Sequence, residues 1–219
     1  MAILDEPPFC WRAADGRATG CDVEVATVAL HRAGVSDIAF VQVDFADLLP
    51  GLQEARWQLT TGLFITEARR QLVHFSRPIW TVPDGLIVRR DRPYQSYVDI
   101  AADPAARLAV VTGQVQGDSA RAAGVPGERI VCFQTQVETV RAVRDGVVDA
   151  AASTAIGNRA MLERPGPELT VVDLPIGADG GFAVAPALAD ALDAALDGYL
   201  GTAEHRAVMT RYGLSPAGA

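Results

Sequence analysis

The chain has 219 residues, of which 49% are hydrophobic, and a net charge of -8. That length suits one large domain or two small lobes, either with a real core. The acidic balance, with Arg as the basic residue throughout and no Lys, gives no concentrated basic face for phosphate, so no nucleic-acid partner is expected. No apolar run approaches the roughly 20 residues that a bilayer-spanning helix needs. Met1 runs straight into Ala2-Ile3-Leu4 without a basic start or a cleavage-type stretch, which leaves a mature form and a cytosolic protein both open.

Apolar strands alternate with amphipathic helices along the chain, the pattern of an α/β fold with largely parallel sheets. Residues 2–4 form a short strand that Pro7-Pro8 ends. If Asp15-Gly16 is a two-residue hairpin turn, Cys10 lies opposite Cys21, which allows a cross-strand disulfide or two buried thiols. The spacing of the three Cys matches no redox or zinc motif, and the three His are far apart, so neither a metal nor a cofactor is expected. Residues 21–33 read as a helix stopped by Gly34, 38–43 as a strand and 45–55 as a second helix. Thr66 can cap a helix that runs through Arg69 and Leu72, and 78–90 is extended.

A second, similar unit follows, with strands at 108–111, 130–133, 147–152, 169–172 and 181–185. Its helices are 118–123, ending at Gly124, and a helix opened by the capping box Thr135-Gln136-Val137-Glu138 and ending at Gly146. Residues 188–212 are helical with a break around 198–201. Extended segments near 84–91 and 173–182 would link the lobes as a two-stranded hinge. The expected division is 1–88 with 178–219 as lobe one and 89–177 as lobe two.

For chemistry, no GxSxG elbow or Lys-containing phosphate loop is present, and the carboxylates do not stand out from solvated surface charge. The informative segment is Thr60-Thr61-Gly62-Leu63-Phe64-Ile65-Thr66-Glu67-Ala68-Arg69. A strand ending at an exposed Gly62, followed by a helix start, would offer backbone N–H groups to an anion. One turn into that helix, the planar fork of Arg69 matches a carboxylate. On the residues alone, a surface Arg on an amphipathic helix is the favoured reading.

The stretch GLFITEARRQLVHFSRPIW resembles the signature of bacterial solute-binding proteins of the polar amino acid and opine type. Further matches follow in order, among them VDFADLLPGLQEARW, GLIVRRD, RLAVVTGQVQGDSA and QTQVETVRAVRDGVVDAAAST, so the resemblance covers nearly the whole chain. It implies the two-lobed type II periplasmic-binding-protein fold, an α/β fold with a ligand cleft between hinged lobes. It also implies that Arg69 takes a ligand carboxylate with help from the backbone at Gly62 and Phe64, and that Gln114 and Val115 contribute from the second lobe.

Amino-acid binders of this family place an Asp where Thr154 stands here, to pair with the ligand's ammonium. A buried ammonium facing Thr would lack its counter-charge, at a cost of a few kcal/mol. The subgroup that binds ectoine and hydroxyectoine for import is a nearer match. It carries Glu-x-x-Phe early in the chain, as in Glu6-Pro7-Pro8-Phe9, and rings that correspond to Phe45 and Phe64. The resemblance thus implies Glu6 beside the ring N–H groups of the cation, and Phe9, Phe45 and Phe64 holding the cation by cation–π attraction, about 0.5–2 kcal/mol each. Ordinary core packing is the other role open to each Phe. Trp11 and Trp80 fall either beside the cleft or in hinge packing.

The expectation is a monomeric, periplasmic or cell-surface binding subunit for a small zwitterion, working with ABC permease subunits and not as an enzyme. Two alternatives are a polar amino acid or opine binder, and an enzyme resembling cyclohexadienyl dehydratases, for which Glu6 is the general acid available.

Overall fold

A computed structural model gives the chain's structure for residues 1–92, 94–162 and 168–217. In chain order the strands are β1 (Ala2–Ile3), β2 (Trp11–Arg12), β3 (Ala18–Thr19), β4 (Val41–Gln42), β5 (Leu59–Phe64), β6 (His74–Phe75), β7 (Trp80–Arg89), β8 (Leu108–Val111), β9 (Ile130–Phe133), β10 (Ala150–Thr154) and β11 (Leu169–Val184). The helices are α1 (Cys21–Arg32), α2 (Leu48–Gln53), α3 (Glu67–Arg70), α4 (Tyr97–Ala102), α5 (Gln116–Ala122), α6 (Gln136–Arg144), α7 (Ala155–Met161), α8 (Pro186–Asp197) and α9 (Ala203–Arg211). Two compact units result, Met1–Val82 with Ala178–Ala219, and Pro83–Gly177. The chain passes from one to the other inside β7 and inside β11.

In the first unit β5 runs antiparallel to the end of β11, with Phe64 opposite Gly180 and Gly62 opposite Phe182. β6 pairs the far edge of β11, and β1 pairs β4 in parallel. Helices α8 and α9 pack on α1. The core holds Ile3, Val25, Ala29, Leu59, Leu63, Phe182, Leu192 and Leu196, all buried.

In the second unit β10 is antiparallel to β7 and parallel to β8, which is parallel to β9. Both faces of this sheet are covered. Leu86, Val88, Leu108, Val110, Ala150 and Ala152 enter one cluster, and Ile87, Ala109 and Ala151 enter the other. This two-residue alternation between buried faces explains the unbroken apolar runs of the sequence.

Several expected elements move. The hairpin after Cys10 pairs Trp11 with Thr19 and Arg12 with Ala18, so its loop is one residue longer than Asp15-Gly16 alone. That shift carries Cys21 out of register with Cys10 and into the first turn of α1. Both are free thiols: Cys10 Sγ donates to Thr61 Oγ1 at 3.1 Å, and Cys21 Sγ lies 3.3 Å from Met209 Sδ. Gly62 does not end its strand, which continues through Phe64. The helix expected at 45–55 divides into a 3-10 turn at Phe45–Asp47 and α2. Pro50, which has no N–H to donate, then falls in the first turn of α2.

The strand expected at 147–152 is instead Ala150–Thr154, and those at 169–172 and 181–185 are parts of the single β11. Helix α6 begins with the expected capping box, in which Thr135 Oγ1 accepts from the Glu138 N–H and the Glu138 carboxylate from the Thr135 N–H. Thr66 Oγ1 accepts from the Arg69 N–H at 3.2 Å, and so caps α3.

Candidate functional site

The first unit carries six of the residues singled out in the sequence. Glu6, half-buried, closes a tight loop: its N–H donates to Cys10 O at 2.8 Å, and its carbonyl accepts from the N–H groups of Phe9 and Cys10. The loop is fastened to the start of α1, where the N–H groups of Cys21 and Asp22 donate to Pro8 O and Phe9 O. Gly20 permits this approach. It has φ +123°, and a Cβ there would fall 2.3 Å from Phe9 O.

Phe9 and Phe64 are both brought against Trp80, at ring-centroid distances of 5.0 and 5.6 Å, the second edge-on. All three are buried. Arg69, also buried, stands one turn into α3 with its guanidinium 5.6 Å from the centroid of the Phe45 ring. Its Nη1 donates to Phe64 O at 2.8 Å. The carbonyl of Phe64 therefore holds Arg69 in place. The N–H of Gly62 donates to the Asp22 carboxylate at 2.7 Å, so it is engaged inside the protein.

One group that the sequence reading passed over, Asp22, lies in this cluster. Trp80 Nε1 donates to Asp22 Oδ1 at 2.9 Å, and Thr61 Oγ1 donates to Asp22 Oδ2 at 2.5 Å. Asp22 is fully buried, and burial pushes its carboxyl up to about 6 against the hydrogen bonds from Thr61, Trp80 and Gly62 that pull it down. A signal was present. Asp22 shares helical spacing with Val25, Ala26 and Ala29, which are all buried, and a first-turn acid belongs to that apolar stripe only if it has partners inside.

The second unit carries Gln114, Val115 and Thr154. Gln114 and Val115 form the turn between β8 and α5, both half-buried, with the Gln114 N–H donating to Val111 O at 3.1 Å. Thr154 ends β10 and caps α7, its Oγ1 accepting from the Gly157 N–H at 3.1 Å. A second buried carboxylate, Asp84, stands opposite Thr154 in the β7–β10 register. It accepts from Gln116 Nε2 at 2.7 Å and Tyr97 Oη at 3.1 Å. Burial raises its carboxyl above the ordinary range, and the bonds from Gln116, Tyr97 and Ser119 oppose the rise. Among the described residues no group of three His, Cys, Asp or Glu side chains is placed to hold a metal ion.

The model of the bacterial extracellular solute-binding proteins, family 3, matches residues 1–214. The chain belongs to this family. Its fold is that of periplasmic binding proteins, an α/β fold with helices on a central sheet. No curated protein matches this family 3 chain in sequence.

Among solved structures, EhuB in complex with hydroxyectoine is 27% identical, with a TM-score of 0.91 over 98% of this chain and 87% of that one. ArtJ from Geobacillus stearothermophilus, an arginine-, lysine-, histidine-binding protein, is 20% identical, with a TM-score of 0.86 over 97% of this chain and 94% of that one. An ancestral amino acid-binding protein, described as a precursor of cyclohexadienyl dehydratase, is 22% identical, with a TM-score of 0.83 over 97% of this chain and 94% of that one. These last two share the fold. The family and these neighbours are binding proteins, and this chain is a solute-binding protein of the family 3 type.

Proposed function

We propose that this solute-binding protein takes a small zwitterion with a carboxylate and a delocalised ring cation, of the ectoine or hydroxyectoine kind, and delivers it as a monomer to the permease subunits of an ABC importer. Its place of work is the periplasm or cell surface. The observation that carries the reading is the first unit's combination of Arg69 over the Phe45 ring with Phe64 beside it. A guanidinium presents a planar fork of donors that matches a carboxylate. Rings favour a cation that holds its water weakly, as an amidinium does. Phe9 stands with Phe64 on Trp80, and Glu6 in the same loop supplies the negative charge.

In the second unit, Thr154 replaces the acid that would hold an α-ammonium, and its hydroxyl is occupied in capping α7. That favours a delocalised cation over an ordinary amino acid. Gln114 and Val115, at the turn after β8, are the second unit's proposed ligand contacts. No catalytic step is assigned.

Native mass spectrometry of the purified protein from cells grown with ectoine tests the reading. A retained adduct with the mass of ectoine or hydroxyectoine is the expected outcome. A retained amino acid, or conversion of arogenate by the protein, would point instead to the amino-acid or dehydratase reading.

A further inference from the structure

We propose that Asp22 is the positioning residue of the ligand-binding face, fixing the Trp80 ring on which Phe9 and Phe64 rest. The inference depends on the reading of Phe9 and Phe64 as ligand contacts, because it concerns what orients them.

One carboxylate ties together four segments that are distant in sequence. Oδ1 accepts from the indole N–H of Trp80 at the start of β7, and Oδ2 accepts from the Thr61 hydroxyl and the Gly62 N–H on β5. The Thr61 hydroxyl in turn accepts from Cys10 Sγ, and Cys10 Sγ accepts from the Leu4 N–H at 3.2 Å, which brings in the loop that carries Phe9. Every donor to the carboxylate is neutral: a hydroxyl, an amide and an indole. A core charge held without a cation is a costly local choice, and such conflicts gather at functional positions.

The geometry shows what the charge achieves. Trp80 lies in a slot that glycines leave open. A Cβ on Gly180 would fall 2.1 Å from the indole ring, and one on Gly62 would fall 2.9 Å from it. The slot fixes the plane of the ring, and the Asp22 bond selects which edge of the indole turns toward α1. Phe9, at 5.0 Å, and Phe64, edge-on at 5.6 Å, take their places from that ring. Three donors on two oxygens require acceptor capacity at both oxygens. An amide at position 22 carries no charge and has one acceptor oxygen, so the Trp80 N–H either faces the NH2 group and loses its acceptor, or keeps only a neutral acceptor while the NH2 group faces the Gly62 N–H. Asp22→Asn therefore keeps the shape and removes one anchor.

The test compares wild type, Asp22→Asn, Trp80→Phe and the double variant. The indole N–H resonances are recorded by NMR on ligand-free protein, with Trp80 assigned from its loss in Trp80→Phe. Ectoine, hydroxyectoine and L-arginine are titrated calorimetrically, and melting temperatures are measured alongside. The inference predicts a displaced Trp80 resonance in Asp22→Asn, with those of Trp11 and Trp57 unmoved. It predicts affinity at least tenfold weaker in each single variant, with no further loss in the double variant because both act on the same bond.

An unmoved Trp80 resonance, or unchanged affinity in Asp22→Asn or Trp80→Phe, overturns it. Additive losses in the double variant also overturn it. Should Asp22→Asn fail to fold, Trp80→Phe decides alone through its affinity. Should wild-type protein bind L-arginine and neither ectoine, the ligand reading falls, while the resonance and the arginine affinities still decide the role of Asp22.

Discussion

The two units each bury a carboxylate on neutral donors, and the two sites differ in what those donors carry. Asp22 holds an indole whose ring supports Phe9 and Phe64. Asp84 holds Tyr97, on α4, and Gln116, on α5, so its bonds fasten two helices to the strand β7. The same chemistry thus orients an aromatic cluster, the proposed recognition surface, in one unit and stitches a scaffold in the other. Removing each anchor should accordingly register in a different measurement.

The largest effect is expected at the charge that the aromatic cluster frames. Arg69→Ala should weaken ectoine binding at least a hundredfold by calorimetry, as loss of one partner of a desolvated charge pair does. Its melting temperature should change little, because the short helix α3 keeps its Thr66 cap.

Acidity comes next. Asp22 titrates at about 6 in the fold against an ordinary 3.8, so the native state holds its proton more tightly than the unfolded chain. Its contribution to stability is full below about pH 4 and is lost as pH rises through about 6, up to about 3 kcal/mol. Cys10 and Cys21, which adjoin it, stay protonated across that range because burial pushes both thiols up. Denaturant midpoints of wild type measured against Asp22→Asn should diverge between pH 4 and 6, with the wild type relatively more stable on the acid side. Parallel curves would show that Asp22 is not a buried, raised carboxylate.

Asp84→Ala should cost about 1–3 kcal/mol in denaturant unfolding by leaving Gln116 and Tyr97 without their acceptor, with ectoine affinity within a few-fold of wild type. A large affinity loss with little loss of stability would erase the contrast between the units. The smallest effect is expected at Phe45→Ala, which removes the ring beneath the Arg69 guanidinium. About 0.5–2 kcal/mol of ectoine affinity should go, or roughly twofold to thirtyfold, read by the same titration.

Much of this was legible in the sequence because it is local. The capping box at Thr135 and the cap at Thr66 involve residues three apart, and α6 and α3 begin where those signals stand. The alternating burial of the second unit's strands is written in their composition. What escaped depends on pairing over distance or on one residue of loop length. The hairpin loop after Cys10 is longer by one than Asp15-Gly16 suggests, and that alone separates Cys10 from Cys21.

Asp22 looked like a solvated first-turn acid because its partners lie 39 and more residues away, at Thr61, Gly62 and Trp80. Thr154 was noticed for the acid it replaces. Its role as a helix cap depended on α7, whose start the sequence did not announce with a Glu or Gln three residues on. Arg69, Phe9, Phe45 and Phe64 were singled out by resemblance as candidate contacts. Trp80, which joins two of them, was expected beside the cleft or in hinge packing, and nothing local in the sequence named Phe9 and Phe64 as its partners.

Calorimetric titration of the purified wild-type protein with ectoine, beside a panel of amino acids, tests the central claim most directly. The account predicts saturable one-to-one binding of ectoine or hydroxyectoine and weak or absent heats with the amino acids. No heat with either compatible solute, together with micromolar binding of an amino acid, would contradict it.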